Sequence, residues 1–355
     1  MTQVVSITPE EKWAVEADAG SETVHIRADK ANAGLNADPK TLTGGSKSIQ
    51  KVRVGYPEPS SELESSIDTK LFHRYMYAAL GNYKFTAGTT ESPKNVHEFY
   101  GGDQTKLPSC TNTLTFDVGN DVLLKTLLGA CCDEFTLETS DDLSTASTTW
   151  VYKTEHEKKL SQAQQQVYDE VQSSATPFIG YDYTVTLGSD EAVAESYVFN
   201  DLKLEIKNNH QTDGSRGLGN RFYGRQPNVG DREISLEMNT IFDTSNLQLV
   251  VQSEYGDLIT DDNGNWIPSP CKIYTVPLSF KIQTCEDAEE YVFIKFPKCI
   301  ISIDPLEFSG TDDVEVKLTL QPMGTSNITL KDGTTSVKTD IYVQVVNDQP
   351  ELKKY

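Results

Sequence analysis

Basic side chains are scarce in this chain: 31 Lys and Arg stand against 53 Asp and Glu in 355 residues, a formal net charge of −22. That balance disfavours tight wrapping of nucleic acid, because duplex DNA presents roughly one negative charge per 1.7 Å. An acidic surface past which nucleic acid slides without sticking remains compatible with it. Cysteines number six, Cys110, Cys131, Cys132, Cys271, Cys285 and Cys299, with no CxxC pair and no Cys/His cluster of zinc spacing. They read as core residues in a reducing compartment. The five histidines, His25, His73, His97, His156 and His210, fall in no HExxH or HxH spacing, so each reads as a lone surface residue.

Nucleophile elbows are missing as well: Gly44-Gly45-Ser46 and Gly214-Ser215-Arg216-Gly217 both miss GxSxG. Around Asp257–Gly264, placing Gly264 at the sixth position of a calcium loop puts Ile259 first, where a carboxylate is required. Asp312-Asp313 and Glu289-Glu290 flank strands, where charge keeps edges soluble. No catalytic, cofactor-binding or metal-binding residue is assigned, and the expectation is a protein that is not an enzyme. No run of ~18 apolar residues could span a membrane, and Met-Thr-Gln-Val-Val-Ser lacks the regions of a signal peptide. Synthesis and folding in a cytoplasm are expected, with no membrane partner.

What is present is strand alternation. Tyr181, Tyr183, Val185 and Leu187 alternate with polar residues; so do Val276, Leu278, Phe280 and Ile282, and Val314, Val316, Leu318 and Leu320. Tyr291–Phe296 is apolar on both faces and is expected to be central or covered by a helix. Asn263-Gly264 and Asp332-Gly333 mark tight hairpin turns, leaving Ile341, Val343 and Val345 for a final strand. Two helices are predicted: Leu71–Leu80 closed by Gly81, and a longer one at about 155–174, where Leu160, Ala163, Val167 and Val171 share a stripe that Pro177 ends. The fold class expected is mainly β, an antiparallel sandwich or open barrel with one or two short helices. Residues 1–66 read as an N-terminal arm and loops with short strands at Thr23–Arg27 and Ile49–Val54, residues 67–323 as the β domain, and 324–355 as a C-terminal extension.

Four of the seven arginines, Arg216, Arg221, Arg225 and Arg232, lie in or beside one glycine-rich loop at 208–230, between the alternating runs Leu202–Ile206 and Ile234–Met238. A connection of ~20 residues is uncommon in a compact domain unless it is functional or disordered. Gly217-Leu218-Gly219 lacks the further glycine, the helix and the lysine of a phosphate cradle. An interaction loop fits better, because the arginine fork bonds carboxylates bidentately and is weakly hydrated. Phe222 and Tyr223 would supply apolar anchors. These residues, Arg216, Arg221, Phe222, Tyr223, Arg225 and Arg232, are the candidates for contact between subunits.

With that loop, several short motifs occur in one order. Leu107-Pro108-Ser109-Cys110-Thr111 is similar to a P-S-F-T strand start with cysteine at the aromatic position, and Leu127–Leu137 is similar to a G-C-x-x-x-x-x-L strand. Ile67 to Gly81 resembles a strand followed by a short turn, and Pro177-Phe178, Leu204–Asn209 and Gly230–Ile234 follow. Read together, from roughly Trp13 to Met323, the chain resembles the tail tube proteins of long-tailed phages and related archaeal viruses. The resemblance implies a β-sandwich-like subunit that self-assembles into stacked, hexameric rings whose joined strands close a β-barrel tube in a virion tail. It further implies a homo-oligomer, tape-measure and tail-terminator or completion proteins as partners, and viral DNA passing an acidic lumen without specific binding. Closure across subunits would remove open sheet edges, and head-to-tail stacking is a heterologous contact that yields an open filament. The alternatives are a β-sandwich receptor- or glycan-binding virion protein, for which exposed tryptophans would be the platform and of Trp13, Trp150 and Trp266 only Trp266 sits in an obvious turn, and a β-rich viral hydrolase, which lacks any clustered acid pair.

Overall fold

A computed structural model describes residues 3–17, 23–35, 39–42, 51–118, 121–139, 143–160, 176–188, 199–241, 258–260, 264–268, 275–284, 289–304 and 315–352. The strands before the helix are β1 (Gln3–Pro9), β2 (Val24–Ala28), β3 (Lys30–Gly34), β4 (Pro39–Leu42), β5 (Lys51–Val54) and β6 (Ser60–Ser66). Helix α1 (Thr69–Leu80) is followed by β7 (Asn82–Thr86), β8 (Asn95–Tyr100), β9 (Cys110–Val118), β10 (Asp121–Thr139), β11 (Thr145–Val151) and β12 (Thr154–Leu160). The second half carries β13 (Tyr183–Leu187), β14 (Asp201–Lys207), β15 (Glu233–Ile241), β16 (Leu258–Thr260), β17 (Trp266–Pro268) and β18 (Thr275–Ile282). The chain closes with β19 (Tyr291–Ile303), β20 (Glu315–Pro322), β21 (Ser326–Thr329), β22 (Ser336–Thr339) and β23 (Tyr342–Asn347).

Among the described residues every ladder is antiparallel and the fold is mainly β, as the alternation predicts, with one α-helix. One sheet runs β2–β1–β9–β10–β12. The other runs β3–β6–β11–β10–β14–β15–β20–β19. There it branches, because β19 pairs with β18 and through it β13 on one side, and with β20 and β23 in succession on the other. β23 continues to β8 and β7. Among the described residues no ladder returns to its start, so the arrangement is an open, sandwich-like one.

A single 19-residue strand, β10, belongs to both sheets. Its first half pairs with β9 and β12, its second with β11 and β14, and the ladder to β9 shifts register between Leu127 and Ala130. The bend falls on Gly129, at φ +69°, where a Cβ would sit 2.7 Å from the Trp13 ring nitrogen and 3.0 Å from the Ala14 side chain. Only glycine accommodates both the left-handed backbone and that approach. Beneath the bend lies the buried carboxylate of Glu10. It accepts hydrogen bonds from the Gly129 amide (2.8 Å), the Ala14 amide (2.7 Å), the Ser109 hydroxyl (2.7 Å) and the Thr111 hydroxyl (3.0 Å). Burial raises its pKa, and the four donors oppose that shift.

Helix α1 begins where Asp68 caps the Leu71 amide (2.8 Å) and stops at Gly81, whose φ is +75°, as a glycine C′ position demands. Eleven of its twelve residues are buried, so it is a core element enclosed by strands instead of an amphipathic cover. It touches β10, β23, β8, β2 and β19. Phe72 meets Phe135 edge-on at 6.0 Å between ring centres, with Tyr75 tilted against the same ring at 5.9 Å. Full burial of each such side chain contributes about 1.5–3 kcal/mol.

Several expectations are corrected. Residues 155–160, predicted as the start of a helix at about 155–174, lie in strand β12; the remainder, 161–174, lies outside the described residues. Cross-strand pairing decides the matter, since Lys125 of β10 reaches Glu155 (2.9 Å) and Glu157 (3.7 Å), and such pairs stabilise a ladder irrespective of helix propensity. Residues 1–66, predicted as an arm, place β1, β2, β3 and β6 inside the two sheets, with Val5, Ile7 and Leu63 in the core. The final strand of the predicted extension lies between β8 and β19 and is buried at every position. His73 and His97, predicted to be on the surface, are fully buried, as is the side chain of His210. Glu290 is likewise no surface guard: it accepts from the Thr69 hydroxyl (2.7 Å) and Lys94 (2.8 Å), tying α1 to the strands. Cys110, Cys131, Cys132 and Cys299 are free, buried thiols, and burial raises the pKa of each. Tyr291–Phe296 is central by pairing, with β18 and β23 on its two sides.

Candidate assembly surfaces

The arginine loop leaves β14 at Asn208 and returns to β15 at Glu233. Its base is built into the core. Buried Asn208 donates to the carbonyls of Ala79 (3.1 Å) and Cys132 (3.0 Å) and accepts from Arg232 Nε (3.0 Å). Asn209 takes a positive φ of 48°, a conformation asparagine tolerates, and Gly230 passes so close that a Cβ would lie 2.3 Å from the Asn209 carbonyl oxygen. The His210 amide donates to Asp133 Oδ1 (2.8 Å), and its ring Nδ1 meets the same oxygen at 2.9 Å. Gln211 and Asn228 close a bridge above this base, and Gln226 reaches across to the Leu107 carbonyl (2.7 Å). The loop is thus a folded lobe.

The structure divides the six contact candidates into four groups. Arg232 is held inward by Asn208, and burial lowers its pKa. Arg216 and Tyr223 fasten the lobe to its own subunit: the guanidinium lies 5.0 Å from the Tyr223 ring and 5.8 Å from that of Tyr56, and donates to the Pro57 carbonyl. Tyr223 itself is buried. Arg225 is exposed but folds back to chelate the Gly214 carbonyl through Nε (3.0 Å) and a terminal nitrogen (2.6 Å). Only Arg221 and Phe222, stacked at 5.6 Å, remain at the tip. They are joined there by Leu218, which is fully exposed and which charge-based reading passed over.

The second surface was not singled out in the sequence. It is the outer face of the larger sheet, where β6, β11, β10, β14, β15 and β20 lie side by side with their apolar residues turned inward. Three rows cross it: Glu138–Lys203–Glu237–Thr319, Thr149–Glu134–Lys207–Glu233, and Glu64–Ser147–Thr136–Glu205–Ser235. These rows hold six carboxylates and two lysines. Lys203 bonds Glu138 (2.8 Å) and Lys207 bonds Glu205 (2.8 Å), which raises both lysine pKa values, hydrogen bonding to those carboxylates being the largest cause. Such exposed pairs contribute little stability, but they leave a flat, polar, net-acidic face. At its margin, β3 has no strand partner on its outer side among the described residues.

Of the tryptophans, Trp150 is buried and donates to the Thr148 hydroxyl (2.9 Å), and Trp13 donates to the Gly129 carbonyl (3.3 Å) under Lys153; the Trp266 side chain lies outside the described residues. Neither described ring forms an open platform for a sugar. Among the described residues no three His, Cys, Asp or Glu side chains are grouped to hold a metal ion.

No family model matches this chain, and no curated protein does. Among solved structures it is compared with the toluene transporter TodX of P. putida, at 11% identity over 99% of this chain and 88% of that one, with a TM-score of 0.11. A value that low carries no relationship of fold.

Proposed function

We propose that this chain is a structural subunit of a viral tail tube, self-assembling into stacked rings around a conduit for DNA. The observation that carries the reading is the broad antiparallel sheet with one face sealed against the core and the other polar and net acidic. A surface of that kind repels phosphates and gives DNA no adhesive contact. Among the described residues no strand pairs with the outer side of β3, where Lys125 Nζ donates to the Ala33 carbonyl at 3.1 Å, and this margin offers a strand for pairing with a neighbouring copy. The motif order from Leu107 to Ile234 supports the same reading.

Purified protein concentrated at moderate salt is expected to form rings or tubes in negative-stain micrographs and to bind no duplex DNA. A monomer under all conditions, with the virion's scaffolding proteins present, would sink the proposal.

The tip of the arginine lobe is assigned to contact between copies. Replacing Leu218 and Arg221 by Ser is expected to leave the melting transition within about 0.5 kcal/mol of the parent. Assembly, followed by sedimentation, should weaken and lose part of its salt dependence. Unchanged assembly would remove the lobe from the interface.

A further inference from the structure

The hairpin of β21 and β22 is fastened to β7 and β8 by side chains that the assembly reading leaves unused. Its turn contains Asp332 and then Gly333, at φ +69°. Asp332 Oδ1 accepts from the amides of Thr334 (2.9 Å) and Thr335 (2.8 Å). Its Oδ2 accepts from the Thr335 hydroxyl (2.6 Å) and from Lys84 Nζ of β7. Lys84 Nζ also donates to the Thr335 hydroxyl oxygen (2.9 Å). Amine, hydroxyl and carboxyl oxygen therefore close a ring of three hydrogen bonds. Glu98, fully buried and directly opposite Lys84 in the ladder of β7 and β8, fixes the hairpin there. Its Oε1 accepts from the Lys331 amide (2.8 Å), next to Asp332, and from the Tyr342 hydroxyl (2.6 Å). Lys84 and Asp332 are 248 positions apart in the chain, so it is the finished fold that brings them into contact.

We propose that Lys84 and Asp332 form a self-made isopeptide bond, the lysine amine condensing with the side-chain carboxyl and releasing one water. The resting pair is ionic: the bond from Lys84 first, then those from Thr335 and Thr334, hold the Asp332 carboxyl below its usual range. Reaction begins when one ammonium proton crosses to Oδ2 through the Thr335 hydroxyl, which takes a proton from Nζ and gives up its own. Nζ, now neutral, attacks Cγ and forms the C–N bond. Negative charge gathers on Oδ1, which already lies between the amides of Thr334 and Thr335. Fixed N–H donors of this kind stabilise a developing oxyanion.

A second proton then follows the same path from nitrogen to Oδ2, the Cγ–Oδ2 bond breaks, and water leaves. One ammonium and one carboxylate become one amide and one water, so atoms and charge balance without an outside reactant. Free amines and carboxylates do not condense in water, but holding both groups in contact removes the entropic cost of bringing them together. The product ties the hairpin covalently to β7 and restricts the unfolded chain, as a cross-link over a long loop does. It forms within one subunit and is independent of assembly.

Mass spectrometry of the full chain, incubated at neutral pH and then digested with trypsin, tests the bond. The intact chain is expected to be lighter than its sequence by one water, and the digest to contain a branched peptide joining the Lys84 and Asp332 segments. Lys84→Arg keeps the positive charge beside Asp332 but has no amine to acylate, so it should show neither the loss nor the branch. Thr335→Val removes the relaying hydroxyl and keeps the backbone amide, and it should slow joining by about a hundredfold. Absence of the branched peptide from the incubated parent would overturn the proposal. So would a loss of water that persists in Lys84→Arg, which would place a succinimide at Asp332 and Gly333 instead. Joining at the parental rate in Thr335→Val would overturn the assigned proton path.

Discussion

Glu10→Ala is expected to destabilise the protein by about 3–5 kcal/mol, read as a lowered midpoint of urea unfolding. The carboxylate receives two backbone amides and two hydroxyls in a buried position. The hydroxyls of Ser109 and Thr111 can rotate toward other acceptors, but the amides of Gly129 and Ala14 are fixed by the backbone and would be left without a partner. Since whole domains are stable by only about 5–15 kcal/mol, this one change would remove a large part of the margin. Glu10→Gln separates the causes. It keeps the volume and one carbonyl oxygen, so its cost should be clearly smaller, and an equal loss would show that hydrogen bonding to the carboxylate is not the source.

Phe72→Ala should cost about 3–5 kcal/mol, the range for emptying a large buried aromatic site. Phe72 is completely buried on α1, and its ring stands edge-on to Phe135 of β10. The helix is buried among strands that are held in ladders, so they cannot close over the void without breaking those ladders. Phe72→Leu, which refills most of the volume, is expected to recover more than half of the loss in thermal or urea melts. Near-parental stability of Phe72→Ala would mean that the helix is not the packing centre of the fold.

These two sites differ in how openly the sequence displays them. The helix was legible because Leu71–Leu80 carries helix-favouring residues and ends on a glycine. Strands with apolar alternation, such as β14, β15, β18 and β20, were legible for the corresponding reason. β12 was not, because Thr154–Leu160 has a strand's pairing without a strand's composition. Nor did the N-terminal strands stand out, since β6 reads Ser-Ser-Glu-Leu-Glu-Ser-Ser and buries serines beside a single leucine. At the arginine lobe, the sequence showed which residues were concentrated but not which way each pointed. Arg216 and Arg232 turned inward because Tyr56, Tyr223 and Asn208 wait for them from other parts of the chain. Leu218, hydrophobic and without charge, gave no signal until its full exposure was seen. Glu10 was equally hidden, because its four donors come from residues up to 119 positions away.

The sharing of β10 between two sheets also has a consequence during synthesis. Chains emerge from the ribosome N-terminus first, and domains acquire structure as units. When Thr139 appears, β9 is already available for the first half of the strand, but β14, which covers one side of the second half, lies more than sixty residues downstream. For that interval the segment Cys131–Leu137 is a nascent hydrophobic strand whose backbone on that side can recruit a neighbouring nascent chain. Asp133 and Glu134 interrupt it with negative charge, and Glu138 follows it directly. In the finished protein they serve His210 and the lysines of β14; before β14 exists, the same charges would keep adjacent chains on a polysome apart.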